Sequence, residues 1–347
     1  MVLRRLAARR PHVLTIAPAP VSPDDLPLRL AVEVELARRR WPSATSPADT
    51  DVLLVLGTPG PRLAQVVRAV WATVPAPRVA VGVTTPGAVR SVLDDAAARL
   101  AGRGGDTTSD CAVQRQHGRT ADTGVGDRAD TGVADAQMAD LAFYDRDGLA
   151  LDAVHVALGP VLPHWPAGLV VHATLAGDLV TDARAEVLDV PATVGPGSRG
   201  RSPLGPDRTR LDILTRVLGL LGADHLAARA RDLRDHDPEP GELTTFGRRL
   251  ARHRPLRWAT RDIALVGGPV EERTVEQRVL ALARALGGSL APPVRPTPEK
   301  ATQAMIGLEL GAARLALAAM DPDTTLGAGP VAAYAPPQGE VTHHHHH

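Results

Sequence analysis

The chain has 347 residues and a formal net charge of zero, with 44% hydrophobic and 2% aromatic residues. That length and apolar content allow two domains of ordinary size, each with a core of its own. The neutral balance and scarce aromatics argue against nucleic-acid binding, and the single cysteine excludes an intrachain disulfide framework.

Met1 to Arg10 is basic, but no clean apolar segment follows before Pro18 and Pro20, so no signal peptide is expected. No apolar run approaches the roughly 20 residues that span a bilayer. The expected location is cytoplasmic, with membrane association only through a partner. Lys300 is the only lysine, which reads as a GC-rich coding bias. His343 to His347 is an expression tag and is set aside.

Val13 to Ala17 is a short β-rich run closed by Pro18 and Pro20. Leu26 to Arg40 reads as a helix that ends in three arginines, although its alternating Leu28, Leu30, Val32, Val34 and Leu36 also fit a strand. Asp51 to Leu56 is a continuous apolar run of the kind that a doubly covered parallel strand shows. Pro61 to Thr73 is helical, with Leu63, Val66, Val67 and Val70 recurring at three and four residues. Val79 to Val83 is the next buried strand, and Pro86 to Leu100 is again helical. Strand and helix alternating in short order predict a flavodoxin-like parallel sheet with flanking helices.

From residue 101 to about 140 the pattern dissolves into Gly, Asp, Thr and Arg. Ala121 to Val125 even returns as Ala129 to Val133. Such a stretch buries too little to offset its ordering entropy, and reads as a disordered linker. It separates an α/β domain at 1–100 from an α+β domain at 141–342.

The second domain opens with a strand at Val154 to Leu158. Leu169 to Leu175 and Leu179 to Val187 form a hairpin about Ala176-Gly177-Asp178. Pro191 to Pro206 is a Gly/Pro/Ser loop. A helical bundle follows: Leu211 to Leu221 capped by Asp207, then Ala223 to Asp235, Leu243 to His253, Glu271 to Leu286 and Thr297 to Met320. Ile263 to Val266 reads as a short strand.

Gly57 to Arg62 follows a strand and opens a helix, a place for an anion or nucleotide phosphate. Pro59 and Pro61 remove two donors, so a plain strand–helix connection is the better reading. His225 and His236 are eleven residues apart, and a continuous helix would place them on one face beside Asp232, Asp235 and Asp237. A solvated helix face explains these residues without a metal, and none is expected. Arg248, Arg249, Arg252, His253, Arg254 and Arg257 form a basic cluster that suits an acidic partner surface or a phosphate, and equally a solvated helix end with cations near its C-terminus. No Gly-x-Ser-x-Gly or other nucleophile setting occurs.

Gly57-Thr58 and Pro75-Ala76-Pro77-Arg78, at their spacing after the apolar run at 51–56, carry a resemblance. Residues 11–100 resemble the iron–sulfur subunit of NADH–quinone oxidoreductase (complex I) that adjoins its quinone site, and the related small subunit of nickel–iron hydrogenases. Gly159-Pro160, His164, Gly168 to Val171 and Leu175 to Ala183 resemble the start of the large catalytic subunit of the same oxidoreductase, the neighbour of the first across the quinone site. Arg257 to Ile263 and Pro336 to Glu340 faintly resemble later segments of that large subunit. The resemblance implies two adjoining subunits fused in one chain.

It also exposes a subtraction. The family holds its cluster with four thiolates, whereas Cys111 is alone and lies in the linker. By register Pro86 stands near a cluster-cysteine position, and Ala17 to Ser22 fills the place of another pair. The nickel cysteines of the hydrogenase branch have no counterpart. No iron–sulfur cluster or other cofactor is expected. The resemblance therefore implies a non-catalytic pseudo-subunit or assembly component that docks on a protein partner, such as the subunits of a respiratory complex. The alternative is an active oxidoreductase component that binds quinone or nucleotide between its domains through Arg62, His155 and His164. The family's quinone turn carries a second histidine, and here His164 is the only one. The docking surfaces implied are the turn at Pro75 and Arg78, the hairpin tip at Asp178, and the basic pair Arg249 and Arg252.

Overall fold

The computed structural model describes residues 10–20, 25–102, 137–144, 150–189, 204–266, 272–288 and 290–326. Cys111, the repeat at 121–133, most of the loop at 191–206 and the segment Pro336 to Glu340 lie outside the described residues.

The first unit runs β1 (Val13–Ile16), α1 (Asp25–Arg39), β2 (Val52–Leu56), α2 (Pro61–Thr73), β3 (Val79–Val83) and α3 (Val89–Leu100). Its strands form one parallel sheet in the order β1-β2-β3, with Val13 opposite Val52 and Val52 opposite Val79. All five residues of β2 are buried, because alternate side chains point to opposite, helix-covered faces. Val52, Leu54 and Leu56 meet Leu28, Val32 and Leu36 of α1 and Leu93 of α3. Leu53 and Val55 meet Leu63, Val66 and Val70 of α2.

The second unit opens with an antiparallel sheet of β4 (Gln137–Tyr144), β5 (Ala150–Leu158), β6 (Leu169–Ala176) and β7 (Leu179–Val187), in that order. β4 begins inside the stretch read as linker, so that boundary moves back to Gln137. Helices α4 (Pro206–Leu220), α5 (Asp224–Asp235), α6 (Pro240–Ala251), α7 (Arg254–Thr260), α8 (Val275–Arg284), α9 (Pro298–Gln303) and α10 (Leu310–Met320) follow. Val171, Ala173 and Leu175 of β6 pack with Leu211, Leu214 and Leu218 of α4 in the larger core. The other face of β6 turns to the first unit, where Val170 joins the α2 cluster with Leu188.

Four sequence expectations change. Asp207 is not the N-cap of α4: Gly205 is, and Asp207 sits in the first turn. Ile263 to Val266 forms only a single bridge, Ala264 to Thr274, and no strand. The helix expected to run on to His253 stops at Ala251, because the His253 ring accepts a hydrogen bond from the Leu256 amide at 3.2 Å and caps α7. The helix expected from Thr297 to Met320 is two helices. Between them the chain leaves the helix to pair with the edge of the sheet: Gly307 N–H donates to Val180 O at 2.8 Å, and Leu310 N–H to Asp178 O at 2.8 Å.

Candidate functional site

Two seams join the units. At the first, the start of α2 would leave free N–H groups, and Asp189, just beyond β7, fills them. Its carboxylate accepts from the Leu63 amide at 2.8 Å and the Arg62 amide at 3.2 Å. Gly60 lets it approach, since a Cβ there would lie 2.3 Å from Asp189 Cγ. At Gly57 to Arg62 the protein's own carboxylate thus occupies the helix start where an anion would sit. Arg62 pairs with Glu186 of β7, which also meets His172 Nε2 at 2.7 Å. The hydrogen bond from His172, ahead of the Arg62 charge and against partial burial, holds Glu186 below the usual carboxylate range. Asp189→Ala is expected to cost about 1 kcal/mol of stability in urea melts, and Asp189→Asn clearly less, since Asn still accepts.

The second seam is a buried ionic network around Asp212 of α4. Asp212 accepts from Arg234 of α5 at 2.6 Å, from Arg29 of α1 at 2.8 Å and from Arg216, one turn along α4, at 3.2 Å. Arg234, with no side-chain exposure, also binds Glu33 of α1 and Asp235, each at 2.7 Å. Arg216 reaches on to Asp321 at 2.6 Å, and Asp321 meets Arg295 at 2.9 Å. Burial works against every charge here. The guanidiniums outweigh it and hold Asp212, Glu33 and Asp321 well below the carboxylate range. In return the carboxylates raise Arg29, Arg216 and Arg234. Arginine suits this work because its fork spans two carboxylates and never loses its proton.

Beside this network lies His164, on the turn between β5 and β6. Its ring lies against the backbone of α4 at Gly219, where a Cβ would come within 2.5 Å of Nε2. Arg314 of α10 holds the turn, donating to Pro163 O at 3.3 Å. Burial first, then the charges of Arg231 and Arg216, lower the His164 pKa and favour the neutral ring.

The three residues expected to share a quinone or nucleotide site each have a different partner. Arg62 is on Glu186, His155 on Thr174 at 2.9 Å, and His164 against Gly219. Among the expected docking residues, Arg78 stacks on Trp71 with its guanidinium carbon 4.3 Å from the ring centre. It also donates to the carbonyls of Trp71 and Val74 at 2.6 and 2.5 Å, so it closes the C-terminal end of α2. Pro75, beside it, is exposed. The Asp178 side chain is exposed, but its carbonyl is engaged by Leu310.

Arg249 and Arg252 are exposed at the end of α6, next to exposed Arg254 on α7. None of the three has a carboxylate partner among the described residues. Trp258, on α7 beside them in sequence, is 71% exposed. His225 opens α5 and His236 ends it, and among the described residues no group of three His, Cys, Asp or Glu side chains forms a metal site. No described helix is long and apolar enough to cross a membrane.

The local sequence pattern does not point to the Asp212 network. α4 reads as amphipathic, with Asp212 and Arg216 opposite Ile213, Leu214, Val217 and Leu218, yet the structure buries Thr209, Asp212 and Thr215 of that polar face as well. No protein-family model, curated protein or solved structure matches the chain.

Proposed function

We propose that this protein is a non-catalytic docking component, a pseudo-subunit related to the iron–sulfur and large catalytic subunits of NADH–quinone oxidoreductase fused in one chain. The observation that carries the docking role is the unpaired basic face. Among the described residues, Arg249, Arg252 and Arg254 have no internal acid to answer, and a solvent-facing tryptophan stands beside them. Arg and Trp are the residues that anchor protein interfaces, and unpaired cations steer an acidic partner into register. The relation to the oxidoreductase is supported by the order of parts: a parallel α/β sheet, then a β hairpin, then helices. A flavodoxin-like reading of the first unit is supported by helices on both faces of its sheet.

The test is affinity capture from the native host with the full chain. Arg249→Glu/Arg252→Glu is expected to abolish capture of an acidic partner. Trp258→Ala should weaken it about 30-fold. Binding should fall steeply with salt. Capture that both variants leave unchanged overturns the reading.

The alternative, an oxidoreductase component acting on quinone between the units, is favoured by one observation: His164 is held beside the seam with a depressed pKa. Anaerobic reconstitution with iron counted per chain, followed by a quinone-reduction assay, separates the two. Iron uptake with turnover would establish the enzyme.

A further inference from the structure

The ionic network balances around Asp212, but not around His164. Arg231 of α5 forms no ion pair among the described residues, and neither does Arg314. The Nε–H groups of Arg216, Arg231 and Arg314 are all buried and have no hydrogen-bond acceptor among the described residues. Buried donors are nearly always satisfied, so three orphans of one kind in one neighbourhood call for a missing acceptor. Three different elements place them there. Arg216 lies on α4 one turn before Gly219, the residue against the His164 ring. Arg231 lies on α5 one turn before Arg234, and α5 packs along α4. Arg314 of α10 bonds the carbonyl of Pro163, next to His164.

What Arg231 and Arg314 lack among the described residues is a carboxylate partner. Arg216 spends one nitrogen on Asp212 and Asp321, while Arg314 gives only one bond, to a neutral carbonyl. Burial without a counter-ion lowers the Arg314 pKa, the mark of a cation held without compensation. Arginine forks match the planar or tetrahedral oxygens of carboxylate and phosphate groups, and a neutral imidazole adds one more hydrogen-bonding nitrogen.

We infer that Arg216, Arg231 and Arg314, with His164, form a binding site for the oxyanion group of a small metabolite, a carboxylate or a phosphate. Arg216 makes the floor. Arg231 and Arg314, each partly exposed, make the entrance. The site uses none of the residues of the basic face of α6 and α7 and does not depend on the docking reading.

The test is calorimetric titration and thermal melting of the full chain with sodium phosphate and, separately, sodium succinate, each against sodium chloride at matched ionic strength. At least one oxyanion is expected to bind saturably and raise the melting temperature beyond the chloride control. The arm that responds tells phosphate from carboxylate. Arg231→Gln and Arg314→Gln should each weaken that binding about tenfold or more, while Arg249→Glu/Arg252→Glu leaves it unchanged. Neither arginine holds an acid among the described residues, so both variants should fold, as circular dichroism will register. No response to either oxyanion in the unmodified chain overturns the proposal. So does a saturable response that both Gln variants retain, since the ion then binds elsewhere.

Discussion

Asp212→Ala is expected to lower the unfolding free energy by about 3–5 kcal/mol, the cost of removing one partner from a buried ion pair. The loss is large because three guanidiniums share this carboxylate, from α1, α4 and α5. Without it Arg29 retains Glu33 at 2.6 Å and Arg234 retains Glu33 and Asp235, but Arg216 is left with Asp321 alone. Asp212→Asn should cost nearly as much, since it keeps the shape and removes the charge. The effect should also be structural in kind, because Asp212 ties the helical bundle to α1 of the parallel-sheet unit. In urea melts followed by tryptophan fluorescence, Trp41 and Trp71 report on one unit and Trp165 and Trp258 on the other. The variant should turn one transition into two. A double-mutant cycle with Arg29→Ala should return a coupling energy of about 1–3 kcal/mol. A loss below about 1 kcal/mol with a single transition would place the pair in the class of solvated surface bridges.

The same network explains which parts of the molecule are legible in the sequence. Where local pattern and tertiary environment agree, expectation and structure coincide: α2 and β3 have the expected bounds, and so does the second hairpin strand, β7. Each buries a regular face against a neighbour close in the chain. They part where a distant partner overrides the local pattern. Thr297 to Met320 is helical in composition, yet residues 307–310 leave the helix to satisfy the backbone of β7. β4 is hidden because it emerges from a low-complexity stretch without a turn signal before it. The charged seam is the least legible of all. Arg29 meets Asp212 across 183 residues, and Arg234 meets Glu33 across 201. Nothing in the local pattern of α1 tells that Glu33 and Arg29 are committed to another unit while Arg40 is free to face water. The arginine bias, a coding effect by composition, supplies the forks on which this seam depends.

Acid is expected to undo the protein in a way that follows from those commitments. A hydrogen bond from Arg38, backed by Arg39 and opposed by burial, takes Glu35 from its ordinary 4.5 to about 2. Asp212, Glu33, Asp321 and Glu186 are likewise held below their ordinary values. Each group binds a proton more readily in the unfolded chain than in the folded one. Folding stability therefore rises with pH through this range. The contribution is complete above about pH 5, where both states are ionised, and is lost as pH falls from about 4, for Glu35 toward its folded value of about 2. Glu35 alone accounts for on the order of 2 kcal/mol, after discounting for the half-exposed Arg38. His164 adds a shallower slope of the same sign. Its folded pKa lies below the ordinary 6.5, so the unfolded ring charges first as acid is added. Unfolding free energies from urea melts should then be level above about pH 7, decline gently below it and drop steeply below about pH 4. Glu35→Gln should flatten the steep limb, and His164→Gln the gentle one. A profile as stable at about pH 3 as at pH 7 would mean that these carboxylates are no better paired in the folded chain than in the unfolded one. In that event the seam would be held by apolar contacts alone, and the arginines along it would be solvated bystanders.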